Sequence, residues 1–172
     1  MTSDRFKQIE LLLLDVDGVL TDGRIIYTDS GEEIKAFHVK DGMGLRLLMN
    51  AGIKTGVVTG RRSQVVIHRC NNIGISYIFD GIEDKGAFLD TIIDRTGVAA
   101  ANMAFVGDDL PDIPLMKKVG VSFAVQDAHE QVKAFCDTVT TQKGGQGAVR
   151  EICEMILKEK GAWEQSINGF IR

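Results

Sequence analysis

Two aspartates two residues apart, Asp15 and Asp17, close the most apolar run of the chain and are followed by Gly18. If that run is a strand, side chains at i and i+2 share a face, and the two carboxylates come close together. Like charges at such short range call for a cation. Asp108, Asp109 and Asp112 follow a second apolar run, and an all-oxygen cluster free of His and Cys suits a hard ion such as Mg2+. Mg2+ keeps several waters and favours sites completed by a substrate phosphate. Thr59 ends another run and Lys85 follows a further one; a hydroxyl donor and a compact cation are groups that hold a phosphoryl oxygen. Aspartates at strand ends also serve as helix N-caps and turn residues, and for any one of them that role is the commoner. Four strand ends agreeing on one chemistry weigh against it here.

These residues need a scaffold that gathers strand ends. Short apolar runs at 11–16, 55–59, 77–79, 103–106, 121–125 and, more weakly, 138–140 alternate with stretches of helical periodicity at 43–50, 63–72, 85–95, 110–119, 129–135 and 148–160. Such β/α alternation predicts a parallel sheet flanked by helices, whose ligands bind at the carboxyl ends of the strands. One segment breaks the alternation. Residues 24–28 and 33–39 read as two strands joined by the turn formers Asp29, Ser30 and Gly31, a hairpin inserted after the first strand. Only Pro111 and Pro114 occur, no Gly/Ser-rich linker is present, and one domain over 1–172 is expected. Residues 161–172 have little pattern and read as a mobile tail.

Composition narrows the function. Hydrophobic residues make up 44% of the 172 and charged residues 26%, the balance of a globular domain with a real core. A formal net charge of -4 without a basic run speaks against nucleic acid as a partner. The longest apolar run, Leu11–Leu14, is far too short for a membrane helix, and the polar stretch 1–10 lacks the hydrophobic region of a signal peptide. Cys70, Cys136 and Cys153 are odd in number and widely spaced, which predicts buried, reduced thiols and a cytoplasmic protein. His68 and His129 form no metal spacing with His38.

Asp15-Val16-Asp17-Gly18-Val19, Thr59-Gly60, Lys85 and Gly107-Asp108-Asp109 with Asp112 resemble the four ordered motifs of the haloacid dehalogenase (HAD) superfamily, spread over most of the chain. The resemblance implies a Rossmann-like α/β fold and an aspartyl-phosphate mechanism. In it, Asp15 is the nucleophile, Asp17 the acid/base, and Thr59 and Lys85 hold the transferring oxygens. Mg2+ is bound by the Asp15 carboxylate, the Asp17 backbone carbonyl and Asp108, with Asp109 and Asp112 in support. Superfamily members usually carry a cap domain, but residues 21–40 suffice only for a hairpin and 60–85 for about one helix and one strand. The chain is therefore expected to be capless.

A closer similarity runs through Asp17-Gly18-Val19-Leu20-Thr21-Asp22-Gly23, Phe37-His38-Val39-Lys40-Asp41-Gly42-Met43-Gly44, Thr59-Gly60-Arg61 and Gly144-Gly145-Gln146-Gly147-Ala148-Val149-Arg150-Glu151. These stretches are similar to the 3-deoxy-D-manno-octulosonate 8-phosphate (KDO 8-phosphate) phosphatase family. That resemblance implies a homotetramer assembled through the hairpins, a neighbour covering each site, and a role in lipopolysaccharide precursor synthesis. It also implies substrate contacts at Asp17, His38, Val39, Lys40, Asp41, Gly42, Arg46, Arg61, Arg69 and Lys85. His38 and Lys40 depart from the Asn and Arg common in that family, while keeping donors in place. A phosphatase for a nine-carbon acid such as sialic acid or KDN 9-phosphate is the nearest alternative. A receiver-type signalling domain uses similar residues, but its phosphorylated Asp follows a middle strand. A silent scaffold would not need every motif residue.

Overall fold

The computed structural model describes residues 2–171. Six strands form one parallel sheet: β1 (Leu11–Leu14), β4 (Lys54–Val58), β5 (Tyr77–Phe79), β6 (Met103–Gly107), β7 (Val121–Ala124) and β8 (Thr138–Val139), in the order β5-β4-β1-β6-β7-β8. β1 lies at the centre, with Leu11 opposite Lys54 on one side and Met103 on the other. All four of its leucines are buried, as the continuous apolar run of a strand covered on both faces requires. Full burial of each such side chain contributes about 1.5–3 kcal/mol. The register also puts the carboxyl ends of β1, β4 and β6 side by side.

The crossovers are α2 (Val39–Asn50), α3 (Gln64–Ile73), α4 (Leu89–Thr96), α5 (Ile113–Met116) and α6 (Glu130–Phe135), and α7 (Ala148–Glu159) follows the last strand. α2 and α7 pack closely where Gly44 faces the backbone of Arg150; a Cβ there would meet Arg150 Cα at 3.1 Å and Cys153 Cβ at 3.2 Å. The expected parallel α/β fold and inserted hairpin, β2 (Ile26–Tyr27) and β3 (Glu33–Ile34), are both present.

Several boundaries differ from the sequence reading. The second hairpin strand, expected over 33–39, ends at Ile34, and α2 starts at Val39 rather than 43. The chain leaves the ladder because Phe37 packs against the core and Asp41 anchors α7, accepting the Arg150 N–H at 2.8 Å. The helix expected from 85 begins at Leu89. The one expected over 110–119 is broken into a 3-10 turn, Leu110–Asp112, and the short α5, Pro114 lacking the N–H that a continuous helix would bond to Leu110 O. Two short helices were not anticipated. α1 (Thr2–Lys7) packs Phe6 edge-on to Phe123 at 5.4 Å, and Arg5 pairs with Asp137 at 2.7 Å. α8 (Trp163–Ile167) falls within the stretch read as patternless, and its Trp163 lies under Lys158 and Arg150 of α7.

Candidate active site

β1 delivers Asp15 to the sheet edge, its N–H still paired with Val106 O at 3.0 Å, before the chain curls so that Leu20 and Thr21 both donate to Val16 O. Gly18 makes that curl possible. Its φ of +95° is a left-handed conformation, and a Cβ would stand 2.0 Å from the Asp108 carboxylate. The Asp15 loop and the residue after β6 can therefore come together only over a glycine.

Lys85 is buried between two acids, its Nζ 2.7 Å from Asp15 Oδ1 and 2.5 Å from Asp112 Oδ1. Burial opposes its charge, but Asp15 and Asp112 outweigh it and hold the ammonium above its ordinary pKa. Asp112 spends its other oxygen on the N–H groups of Asp108 (2.8 Å) and Asp109 (3.2 Å). Asp109 caps the 3-10 turn by accepting from the Leu110 N–H. Both hold the backbone of the loop that presents Asp108.

Asp15, Asp108 and Asp112 each offer an oxygen within 4.8 Å of the others. Burial raises the Asp15 carboxyl, against the pull of Lys85, and raises Asp108 further with the negative charges of Asp15 and Asp112 added. Carboxylates brought this close in a buried site either take up a proton or share a cation, so the donor set fits a hard divalent ion.

A cleft of about 470 Å3 opens on these groups and is lined also by Asp17, Thr59, Gly60, Arg61 and Glu83. Thr59, buried at the end of β4, donates its N–H to Phe79 O, and its hydroxyl accepts the Arg61 N–H at 3.4 Å. The other expected substrate contacts lie elsewhere. His38 and Lys40 line a cavity of about 740 Å3 beside the start of α7, with Gln146 and Arg150. Val39, Gly42, Arg46 and Arg69 line a third cavity of about 220 Å3, where Arg46 donates to Asn72 O at 2.6 Å. Asp41 is buried, turned to the α7 backbone. Within one chain, only Asp17, Arg61 and Lys85 of the expected contacts share the cleft. His38 Nδ1 and Arg69 Nε are buried without a partner among the described residues.

The sequence reading missed a group on the hairpin. Lys35 pairs with Asp17 and Glu33, and Glu33 in turn takes Arg61 at 3.2 Å and the Ser63 hydroxyl. Ser63, then the two cations, hold the Glu33 carboxyl below its ordinary pKa. The available signal was the i, i+2 spacing of Glu33 and Lys35, which puts two opposite charges on one strand face.

A doubly wound sheet with a carboxylate pair after its first strand, and Thr, Lys and further acids at the neighbouring strand ends, defines a HAD-type hydrolase. The family model for haloacid dehalogenase-like hydrolases matches residues 77–152. The chain is 42% identical to the 3-deoxy-D-manno-octulosonate 8-phosphate phosphatase KdsC of Escherichia coli K12 over 160 residues, 93% of this chain and 85% of the relative. A crystal structure of the Moraxella catarrhalis enzyme, described as a complex with magnesium ion, phosphate ion and KDO, superposes with a TM-score of 0.95 at 42% identity, over 98% of this chain and 97% of that one. The cobalt-bound phosphatase of Haemophilus influenzae gives a TM-score of 0.92 at 39% identity, over 98% and 99%. The chain belongs to the KDO 8-phosphate phosphatase family of HAD-like hydrolases.

Proposed function

We propose that this protein hydrolyses 3-deoxy-D-manno-octulosonate 8-phosphate to the free sugar acid and phosphate, a step in making lipopolysaccharide precursors. The observation that carries the reading is the convergence of Asp15, Lys85, Asp108 and Thr59 in one cleft, in a chain 42% identical to KdsC over 93% of its length. A carboxylate oxygen of Asp15 attacks phosphorus, and the bond from phosphorus to the sugar oxygen breaks while Asp17 gives that oxygen a proton. Asp17, now a carboxylate, takes a proton from water as the water oxygen adds to phosphorus. The bond to Asp15 breaks and phosphate leaves. Thr59 and Lys85 hold the transferring oxygens throughout, with Lys85 kept in place by Asp112. Asp15, Asp108 and the Asp17 carbonyl would hold Mg2+, which supplies neutralisation of the charge between carboxylate and phosphate.

The separation of His38, Lys40, Arg46 and Arg69 from the cleft favours an assembly in which a second copy brings some of these donors to the substrate. A homotetramer joined through the hairpins accounts for that, with each chain acting as one domain in the cytoplasm. No helix among the described residues is long and apolar enough to cross a membrane.

The test is phosphate release, with Mg2+ and then with chelator, from KDO 8-phosphate, sialic acid 9-phosphate, KDN 9-phosphate and simple hexose phosphates. We expect the octulosonate ester to lead by about two orders of magnitude or more, since a site built around a substrate's polar groups rejects analogues that leave them unpaired. A nine-carbon ester in the lead would keep the mechanism and replace the substrate. Turnover unaffected by chelator would overturn the metal assignment.

A further inference from the structure

Lys35 has no exposed side-chain surface. A buried ammonium is costly unless paired, and two carboxylates hold it: Asp17, through Oδ1, and Glu33, through Oε1 at 3.2 Å. Glu33 is a shared anchor. Besides Lys35 it accepts from the Ser63 hydroxyl and from Arg61, whose Nε lies 3.7 Å from the other oxygen of Asp17. Arg61 is steadied again by the Tyr27 hydroxyl at 3.1 Å. Two cations thus flank Asp17, and both are referenced to one hairpin carboxylate.

The backbone at Asp17 makes this arrangement matter. β1 ends at Leu14, and the residue after Asp17 is the left-handed Gly18, so no strand ladder fixes the Asp17 side chain. Its orientation comes from the charged groups around it. Lys35 has no exposed side-chain surface and does not line the cleft, so its contact with the reaction runs through Asp17.

We propose that Lys35, anchored by Glu33, is a positioning residue that aims the Asp17 carboxylate at the reacting oxygens. The inserted hairpin is then part of the acid/base machinery as well as an assembly surface. This rests on the role of Asp17 in the reaction proposed above. The reason is geometric: a general acid must sit within hydrogen-bond reach of the oxygen it protonates, and a carboxylate free to rotate spends little time there.

A positioning role differs from a merely structural one in its dependence on the leaving group. kcat/KM covers the steps up to formation of the aspartyl phosphate, and p-nitrophenolate leaves without a proton while a sugar alkoxide does not. Lys35→Met, Lys35→Arg and Glu33→Gln would be compared with the parent protein in Mg2+ on KDO 8-phosphate and on p-nitrophenyl phosphate. We expect Lys35→Met to lose about tenfold or more on the sugar ester and under about threefold on the aryl ester, a part of the roughly 10²–10⁴ that general acid catalysis contributes. Lys35→Arg should recover part of the loss, and Glu33→Gln should show the same selectivity to a smaller degree. Equal losses on both esters, or no loss, would overturn the proposal. If Lys35→Met does not fold, Glu33→Gln decides by the same criterion. An Asp15→Asn protein serves as the control: if it remains active the proposed reaction falls and this inference with it, whereas equal losses beside an inactive Asp15→Asn remove the role of Lys35 alone.

Discussion

Asp15 and Asp17 are two residues apart and their surroundings divide the labour. Asp15 is buried against Lys85, while Asp17 is half-exposed between Lys35 and Arg61. Substituting Asn should therefore have different consequences. Asp15→Asn removes the attacking oxygen and should abolish phosphate release, with no phosphoenzyme trapped by acid quench. Asp17→Asn keeps the nucleophile and should lower kcat by about 10²–10⁴, the usual worth of an acid/base group; an unchanged rate would refute its assignment. The raised Asp15 and Asp108 carboxyls give a pH prediction of definite sign. Above the ordinary value of 3.8 the folded, metal-free chain binds more protons than the unfolded one, so its stability falls as pH rises from there through the raised values. Mg2+ competes with those protons, so the gain in Tm on adding it should grow between about pH 5 and about pH 8, with proton release seen on titration. A gain that shrinks with pH would contradict the site. The residues of this centre were legible because motif acids at strand ends carry their spacing in the sequence. Lys35 and Glu33 were not, since an ion pair formed by tertiary folding of a short hairpin leaves only an i, i+2 charge pattern common on solvated strands.

At the scale of elements, what the sequence conveyed was the alternation itself. β1, β4, β6 and β7 are apolar runs with buried patterns, and their positions followed from composition within a residue or two. Boundaries set by packing did not follow. The early start of α2 depends on Asp41 reaching Arg150 of α7, 109 residues along the chain and outside any local window, and α8 docks where Trp163 meets Lys158 at 5.1 Å and Arg150 at 5.8 Å. Trp163→Ala should cost about 2 kcal/mol in urea unfolding, less than a fully buried Trp because the ring is only partly covered. Denaturation unchanged from the parent would mean α8 is not docked. Gly18 ties an element end to the chemistry. Gly18→Ala adds about 1–2 kcal/mol of left-handed strain and forces the Asp108 carboxylate from its place. Weaker Mg2+ binding, by about tenfold, should accompany the lost stability, as for other groups that orient a metal ligand. Binding as tight as in the parent protein would show that Asp108 relaxes without cost.

The whole molecule leaves a surface unexplained by one chain. Ile25, Ile26, Tyr27 and Ile34 of the hairpin and Val39 just beyond it are all substantially exposed. Grouped apolar side chains of that size mark an interface more often than a solvated loop. The hairpin faces two ways: Glu33 and Lys35 reach inward to Asp17 and Arg61, while the cross-strand pair Ile26 and Ile34 stands outward. An Ile26→Glu, Ile34→Glu protein places like charges opposite each other on that outer face and should not assemble. By light scattering the parent protein should run near four times the 18.8 kDa of one chain, and the double variant as a single chain. The two activities should then separate. If the proposed assembly supplies donors to the sugar, hydrolysis of p-nitrophenyl phosphate should persist in the double variant, whereas kcat/KM for the octulosonate ester should fall by about tenfold or more. A monomeric variant with full activity on the sugar ester would show that one chain recognises its substrate alone, and that His38, Lys40, Arg46 and Arg69 stand apart from the cleft for another reason.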